Sequence, residues 1–235
     1  MRFVSALLVA IAACGGPAPS SPPHAPGRLH HATYTIGGDA PTTLLVALHY
    51  SSSTPAFWND LVADWGAPVR VLFPQGPYRR RDGFTWFPPD HEQKNATAKL
   101  SDVRDMAAQI ARLIETTRAA HPEIQRIAVT GFSYGGDLAW MLAIRYPHVV
   151  DVAVPMGSRL LGDPGGPLPS SLRIRVLQGE TDPVIDAAAT SARVADLRAR
   201  GVPIELTVYP GLGHDLSPAL IADWRTYLRT ALASD

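Results

Sequence analysis

The sequence predicts an α/β fold, a mostly parallel sheet of about seven strands with helices on both faces. Three observations carry that expectation. Short apolar, β-branched stretches alternate along the chain with segments whose apolar residues recur at helical spacing. Residues 131–136, G-F-S-Y-G-G, place a tight turn between one such stretch and one such segment. Residues able to do chemistry fall just beyond the apolar stretches, at the edge where a parallel sheet collects its ligands.

The first 28 residues read as lying outside the fold. Residues 1–13, M-R-F-V-S-A-L-L-V-A-I-A-A, set one arginine before an apolar run ending in small residues, a signal-peptide pattern too short to span a bilayer as a mature helix. Ile11-Ala12-Ala13-Cys14 resembles a bacterial lipobox, which implies that Cys14 becomes a lipidated first residue and anchors the protein to a membrane. An ordinary secretory signal cleaved near Ala13 is the alternative. Export to the bacterial cell envelope follows from the lipobox reading, with the chain anchored in the outer membrane or on a periplasmic face. Residues 14–28 carry five prolines and almost no bulky apolar side chain, so they read as an extended tether. The folded domain is expected over 29–235.

Within it, strands are expected near 32–37, 43–49, 69–74, 125–130, 150–155, 172–178 and 203–209. Helices are expected at 101–120, where Val103, Met106, Ile110, Leu113 and Ile114 share a face, and at 134–146, 187–200 and 218–232. Ser217-Pro218 supplies an N-cap and a first helical residue for the last of these. Residues 78–89 are long for a connection, and 157–171, rich in Gly and Pro, are the candidate for a mobile cover.

Composition narrows the function. With 46% hydrophobic residues the chain can bury one good-sized core. Equal numbers of acidic and basic residues, with no like-charge block longer than Arg79-Arg80-Arg81, give no electrostatic ground for a nucleic-acid partner. Cys14 is the only cysteine, which excludes internal disulfides and cysteine metal sites. His24, His30 and His31 show no ligand spacing, and no H-E-x-x-H, phosphate loop or dinucleotide fingerprint occurs, so neither a metal nor a cofactor is expected.

The turn at 131–136 raises a sharper possibility. A serine hydroxyl attacks only when a base takes its proton, and the base needs a third group to fix its tautomer. Ser133 follows the strand near 125–130, Asp182 the strand near 172–178, and His214 the strand near 203–209. That chain order, Ser-Asp-His, is the order of the α/β-hydrolase arrangement, and G-x-S-x-G between strand and helix is its nucleophile turn. Asp186 competes with Asp182 for the acid's place but falls in or beside the next helix.

Ala47-Leu48-His49, Phe73-Pro74-Gln75-Gly76-Pro77, Gly83-Phe84-Thr85-Trp86-Phe87, Gly131–Gly136 with Arg145-Tyr146-Pro147, Gly179–Val184 and Gly213-His214 together resemble the phospholipase/carboxylesterase group of α/β-hydrolases. That group includes acyl-protein thioesterases and is similar to the dienelactone hydrolases, whose nucleophile is a cysteine where this chain has Ser133. The likeness covers about residues 43–232. It implies an α/β-hydrolase fold and a Ser133–Asp182–His214 triad. It also implies an oxyanion hole from the backbone N–H groups of Tyr134 and Ser51.

One departure from the family stands out. Members usually read L-H-G-x-G where this chain has Leu48-His49-Tyr50-Ser51-Ser52. Tyr50 therefore either tolerates the backbone geometry or lends its phenolic O–H to the oxyanion. His49 is expected to orient this loop. Trp86 and Phe84, with Phe87, are candidates to line an acyl pocket, or else to anchor a loop on the core. The expected activity is hydrolysis of a small-molecule carboxylic ester or thioester. A peptidase or amidase on the same scaffold, and a surface-anchored binding protein without turnover, are the alternatives.

Overall fold

The computed structural model describes residues 29–233, so the expected signal peptide, Cys14 and the tether lie outside the described residues. Strands run over β1 (His31–Ile36), β2 (Thr43–Leu48), β3 (Val69–Pro74), β4 (Tyr78–Arg80), β5 (Gly83–Thr85), β6 (Arg126–Phe132), β7 (Val152–Met156), β8 (Arg173–Gly179) and β9 (Ile204–Tyr209). Helices are α1 (Asn59–Val62, after a 3-10 turn at Pro55–Trp58), α2 (Ala96–Ala120), α3 (Tyr134–Arg145), α4 (Ala187–Ala199) and α5 (Pro218–Ala233).

Seven strands form one sheet in the order β1-β3-β2-β6-β7-β8-β9, and only β1 runs antiparallel to its neighbour. The expected seven strands are those of this sheet. The α/β-hydrolase fold is therefore present, with the carboxyl ends of six parallel strands on one edge.

Alternation along β2 shows how the sheet is buried on both sides. Leu44, Val46 and Leu48 pack toward α2, α3 and α4, whereas Leu45 and Ala47 pack toward Trp58, Val62 and the α5 residues Leu220, Trp224 and Leu228. Helix α2 begins five residues earlier than expected because Asn95 caps it, its side chain accepting the Ala98 N–H. Ser217 caps α5 through the Leu220 N–H, as the sequence indicates.

The long connection after β3 folds into the β4–β5 hairpin, which the sequence reading left as loop. Its short strands carry little periodic signal, and its tip Arg81 adopts φ 52°. The Gly/Pro-rich 157–171 stretch is pinned rather than loose. The Trp140 indole donates to Leu161 O, Arg193 donates to Gly162 O, and Asp163 pairs with Arg193 and Arg200. Among the described residues no helix is long and apolar enough to cross a membrane.

Candidate active site

Ser133 sits between β6 and α3 at φ 56°, ψ −121°, a conformation that costs a non-glycine residue about 1–3 kcal/mol. The surroundings hold it there. Its N–H donates to Met156 O at the end of β7, and its carbonyl accepts the Asp137 N–H as α3 begins. A Cβ on Gly135 would lie 2.1 Å from Leu48 O, and one on Gly131 would lie 2.2 Å from the Gly135 backbone. Only glycine lets α3 start this close to β2, and that approach forces the turn which lifts the serine out of the sheet.

The other two predicted residues arrive from neighbouring strand ends. His214 Nε2 lies 3.0 Å from Ser133 Oγ, and His214 Nδ1 lies 2.7 Å from Asp182 Oδ2. A carboxylate only accepts, so Nδ1 carries the proton and the Nε2 lone pair faces the serine hydroxyl. The His214 ring packs on Phe132, and Gly157 at φ 52° leaves room for both rings. Gly179 does the same for the 212–213 backbone that carries the histidine, since a Cβ there would lie 2.3 Å from Gly213 O.

Asp182 is buried and fully engaged. Oδ1 accepts the Val184 and Ile185 N–H groups, while Oδ2 accepts His214 and the Gln178 side-chain amide. Burial pushes this carboxyl up, but the His214 hydrogen bond and the two backbone N–H groups outweigh it and hold it below the usual aspartate range. Asp186 instead caps α4 through the Ala189 N–H. Gln178 was not anticipated: a glutamine at a strand end carries no pattern of its own.

The loop after β2 explains the tyrosine. Ser53 N–H donates to Tyr50 O, closing a turn in which Ser52 takes φ 69°, and the left-handed position falls on Ser52 rather than Tyr50. Tyr50 therefore needs no glycine-like freedom. Its ring packs edge-on against Phe57 and Phe132, which makes it a wall of the site. Neither the Ser51 N–H nor the Tyr134 N–H, the latter in the first turn of α3, has an acceptor among the described residues. Both residues border one cavity with Ser133.

His49 clamps this loop. Its Nδ1–H donates to Tyr50 O at 2.8 Å, and its Nε2 accepts the Gly76 N–H at 3.0 Å. Trp86 stacks on the imidazole and donates its indole N–H to His49 O at 2.7 Å. Burial pulls the His49 pKa down to about 4, against a smaller opposing effect of the Tyr50 carbonyl. It is a neutral strut with a fixed tautomer.

Two cavities meet at Ser133. One of about 580 Å³ is walled by Tyr50, Phe57, Leu61, Phe132, Leu216 and Ile221, with His214 at its edge. The other, about 370 Å³, is bordered by Arg80, Glu92, Tyr134, Asp137, Arg159 and Ile185. Trp86 borders neither: it is fully buried behind His49, which corrects the expectation that it lines a pocket. Phe84 stands outside both as well, pairing with Ser53 and carrying the Arg79 guanidinium on its ring. The loop-anchoring alternative holds for both. No group of three His, Cys, Asp or Glu side chains among the described residues is arranged to hold a metal ion.

Solved structures share this architecture. A protein of unknown function from Agrobacterium tumefaciens superposes with a TM-score of 0.74 at 23% identity, covering 89% of this chain and 100% of its own. The Bacillus cereus carboxylesterase gives 0.69 at 17% identity (86% and 94%), and Zea mays acyl-protein thioesterase 2 gives 0.63 at 20% (86% and 99%). In sequence, a Methylorubrum extorquens protein named "putative carboxymethylenebutenolidase" is 29% identical over 59% of this chain and 49% of its own. The chain thus spans about half the length of the curated relatives it matches. A match to the phospholipase/carboxylesterase family over residues 37–232 takes in every strand except β1 and every residue gathered around Ser133, and the chain belongs to the phospholipase/carboxylesterase family.

Proposed function

We propose that this protein is a serine hydrolase that cleaves carboxylic esters, thioesters among them, through an acyl-enzyme on Ser133. The observation that carries this reading is the continuous hydrogen-bonded chain from Ser133 Oγ through His214 to Asp182, beside two backbone N–H groups that have no acceptor among the described residues.

Ser133 Oγ attacks the ester carbonyl carbon while its proton passes to His214 Nε2. The carbonyl oxygen becomes an oxyanion that the Ser51 and Tyr134 N–H groups receive; one such donor is worth about 2.7–4 kcal/mol in the transition state. Collapse breaks the carbon–oxygen bond of the leaving alcohol, or the carbon–sulfur bond of a thiol, and His214 returns the proton to that atom. Water then enters, His214 takes its proton, and the second tetrahedral intermediate releases the acid and restores the Ser133 hydroxyl. Asp182 keeps its charge throughout and stabilises the transient imidazolium. Lipidation at Cys14 would set this chemistry at a membrane of the bacterial envelope.

A fluorophosphonate probe with peptide mass spectrometry tests the reading, alongside turnover of 4-nitrophenyl butyrate and its anilide counterpart. The expected result is a label on Ser133 that is lost in His214→Ala, with ester cleaved far faster than anilide. Ser133→Ala should lower kcat at least about 10⁴-fold. A folded wild-type protein that neither labels nor turns over ester would overturn it.

A further inference from the structure

The two cavities at Ser133 are chemically unlike, and the geometry of the reaction says which part of a substrate each receives. In the tetrahedral intermediate the carbonyl carbon bears Oγ, the oxyanion, the leaving oxygen and the acyl carbon. The leaving oxygen must lie within reach of His214 Nε2, its proton donor. His214 borders the large apolar cavity and not the smaller charged one. The leaving arm therefore departs on the apolar side, and the acyl arm turns toward Arg80 and Arg159.

That smaller cavity is lined by two cations, Arg80 and Arg159, and two carboxylates, Glu92 and Asp137. Arg159 donates from Nε to Asp137 Oδ2 at 2.8 Å, holds Nη2 2.7 Å from the same oxygen and lies over the Tyr134 ring, and among the described residues no carboxylate pairs with its Nη1. Glu92 is paired with Lys99 at 3.0 Å. The Arg80 side chain is exposed and makes no hydrogen bond or ion pair among the described residues, unlike that of Arg79, which lies over Phe84. Arg159 thus answers Asp137, and Lys99, which does not border the cavity, answers Glu92. The unanswered charge is Arg80, on the hairpin beside the acyl side of the nucleophile.

Resting on the hydrolase reading above, we propose that the preferred substrates are half-esters of dicarboxylic acids, whose free carboxylate, carried on the acyl arm, is received by Arg80 and Arg159. A guanidinium presents paired N–H donors that match a carboxylate, and Arg159 is already oriented by Asp137. Within the Arg79–Arg81 run, the middle member then determines specificity.

The test compares mono-4-nitrophenyl glutarate and adipate with 4-nitrophenyl pentanoate and hexanoate, matched in chain length, with uncatalysed rates subtracted. Wild type should favour the half-esters by about tenfold in kcat/KM, the scale of one hydrogen bond to a charged group at a partly open site. Arg80→Gln should erase most of that ratio, Arg80→Lys should keep part of it, and added salt should shrink it. A carboxylate on the leaving arm, 4-acetoxybenzoate against phenyl acetate, should gain nothing.

Turnover of the neutral esters with no advantage for the half-esters would overturn the proposal and leave the hydrolase standing. An advantage that Arg80→Gln leaves intact, or one that appears only on the leaving arm, would overturn it too. If the neutral esters are also inert, it falls together with the reading it rests on.

Discussion

His49 makes the protein sensitive to acid in a way that can be worked out from its surroundings. The imidazole is fully buried, protonates at about pH 4 in the folded state, and uses its Nε2 lone pair to accept the Gly76 N–H. In the unfolded chain it protonates near pH 6.5. The folded value lies below the unfolded one, so the unfolded state binds the extra proton, and stability falls as pH drops from about 6.5 toward 4. The loss attributable to this one residue is about 2 kcal/mol at pH 5 and about 3 kcal/mol at pH 4. His49→Gln keeps one donor and one acceptor but has no proton to gain. Urea unfolding of both proteins at pH 7, 6, 5 and 4, followed by tryptophan fluorescence, should show wild type losing that much more stability than the variant. Other groups titrate alike in both proteins and cancel in the difference. Parallel decline of the two curves would refute the argument.

Gln178→Leu removes one donor from Asp182 Oδ2 and should lower kcat about tenfold with little change in KM. Gln178→Glu should do more, because a second carboxylate beside Asp182 favours a shared proton and moves the acid limb of the pH–rate profile upward. Rate profiles of the two variants from pH 4 to 9 separate this from a purely structural loss. Gly135→Ala drives a methyl group into Leu48 O and should cost about 3 kcal/mol or more, read as a fall in urea midpoint; a variant as stable as wild type would show that the elbow can relax.

The sheet was legible because both of its faces are buried: stretches such as Leu44–Leu48 and Ile127–Val129 are apolar throughout and cannot be mistaken for surface. Chain order then brought Ser133, Asp182 and His214 to one edge. The preference for Asp182 over Asp186 rested on distance from the strand end, and the structure supplies the physical reason: Asp186 is spent on capping α4. What stayed hidden were side chains whose roles come from partners far along the chain. Asp137 is buried one turn into α3 and meets Ser158 and Arg159 beyond β7, 21 and 22 residues away. Trp86 reads as a pocket residue from its neighbours in sequence, yet it packs behind a histidine 37 residues earlier. At Tyr50 the departure from the family's glycine was visible, but the turn that moves the left-handed position to Ser52 was not.

The antiparallel edge strand of the seven-stranded sheet settles where the polypeptide comes into the domain. Because β1 runs against β3, its first residue pairs with Pro74, and His30 O receives the Gln75 N–H at 2.7 Å. The chain therefore enters at the rim that carries the nucleophile, three strand spacings or about 14 Å from the end of β6. A surface that held the chain just ahead of β1 would hold the domain by its working edge. The mouths of both cavities would open toward that surface, and substrate travelling along it would meet the enzyme head-on.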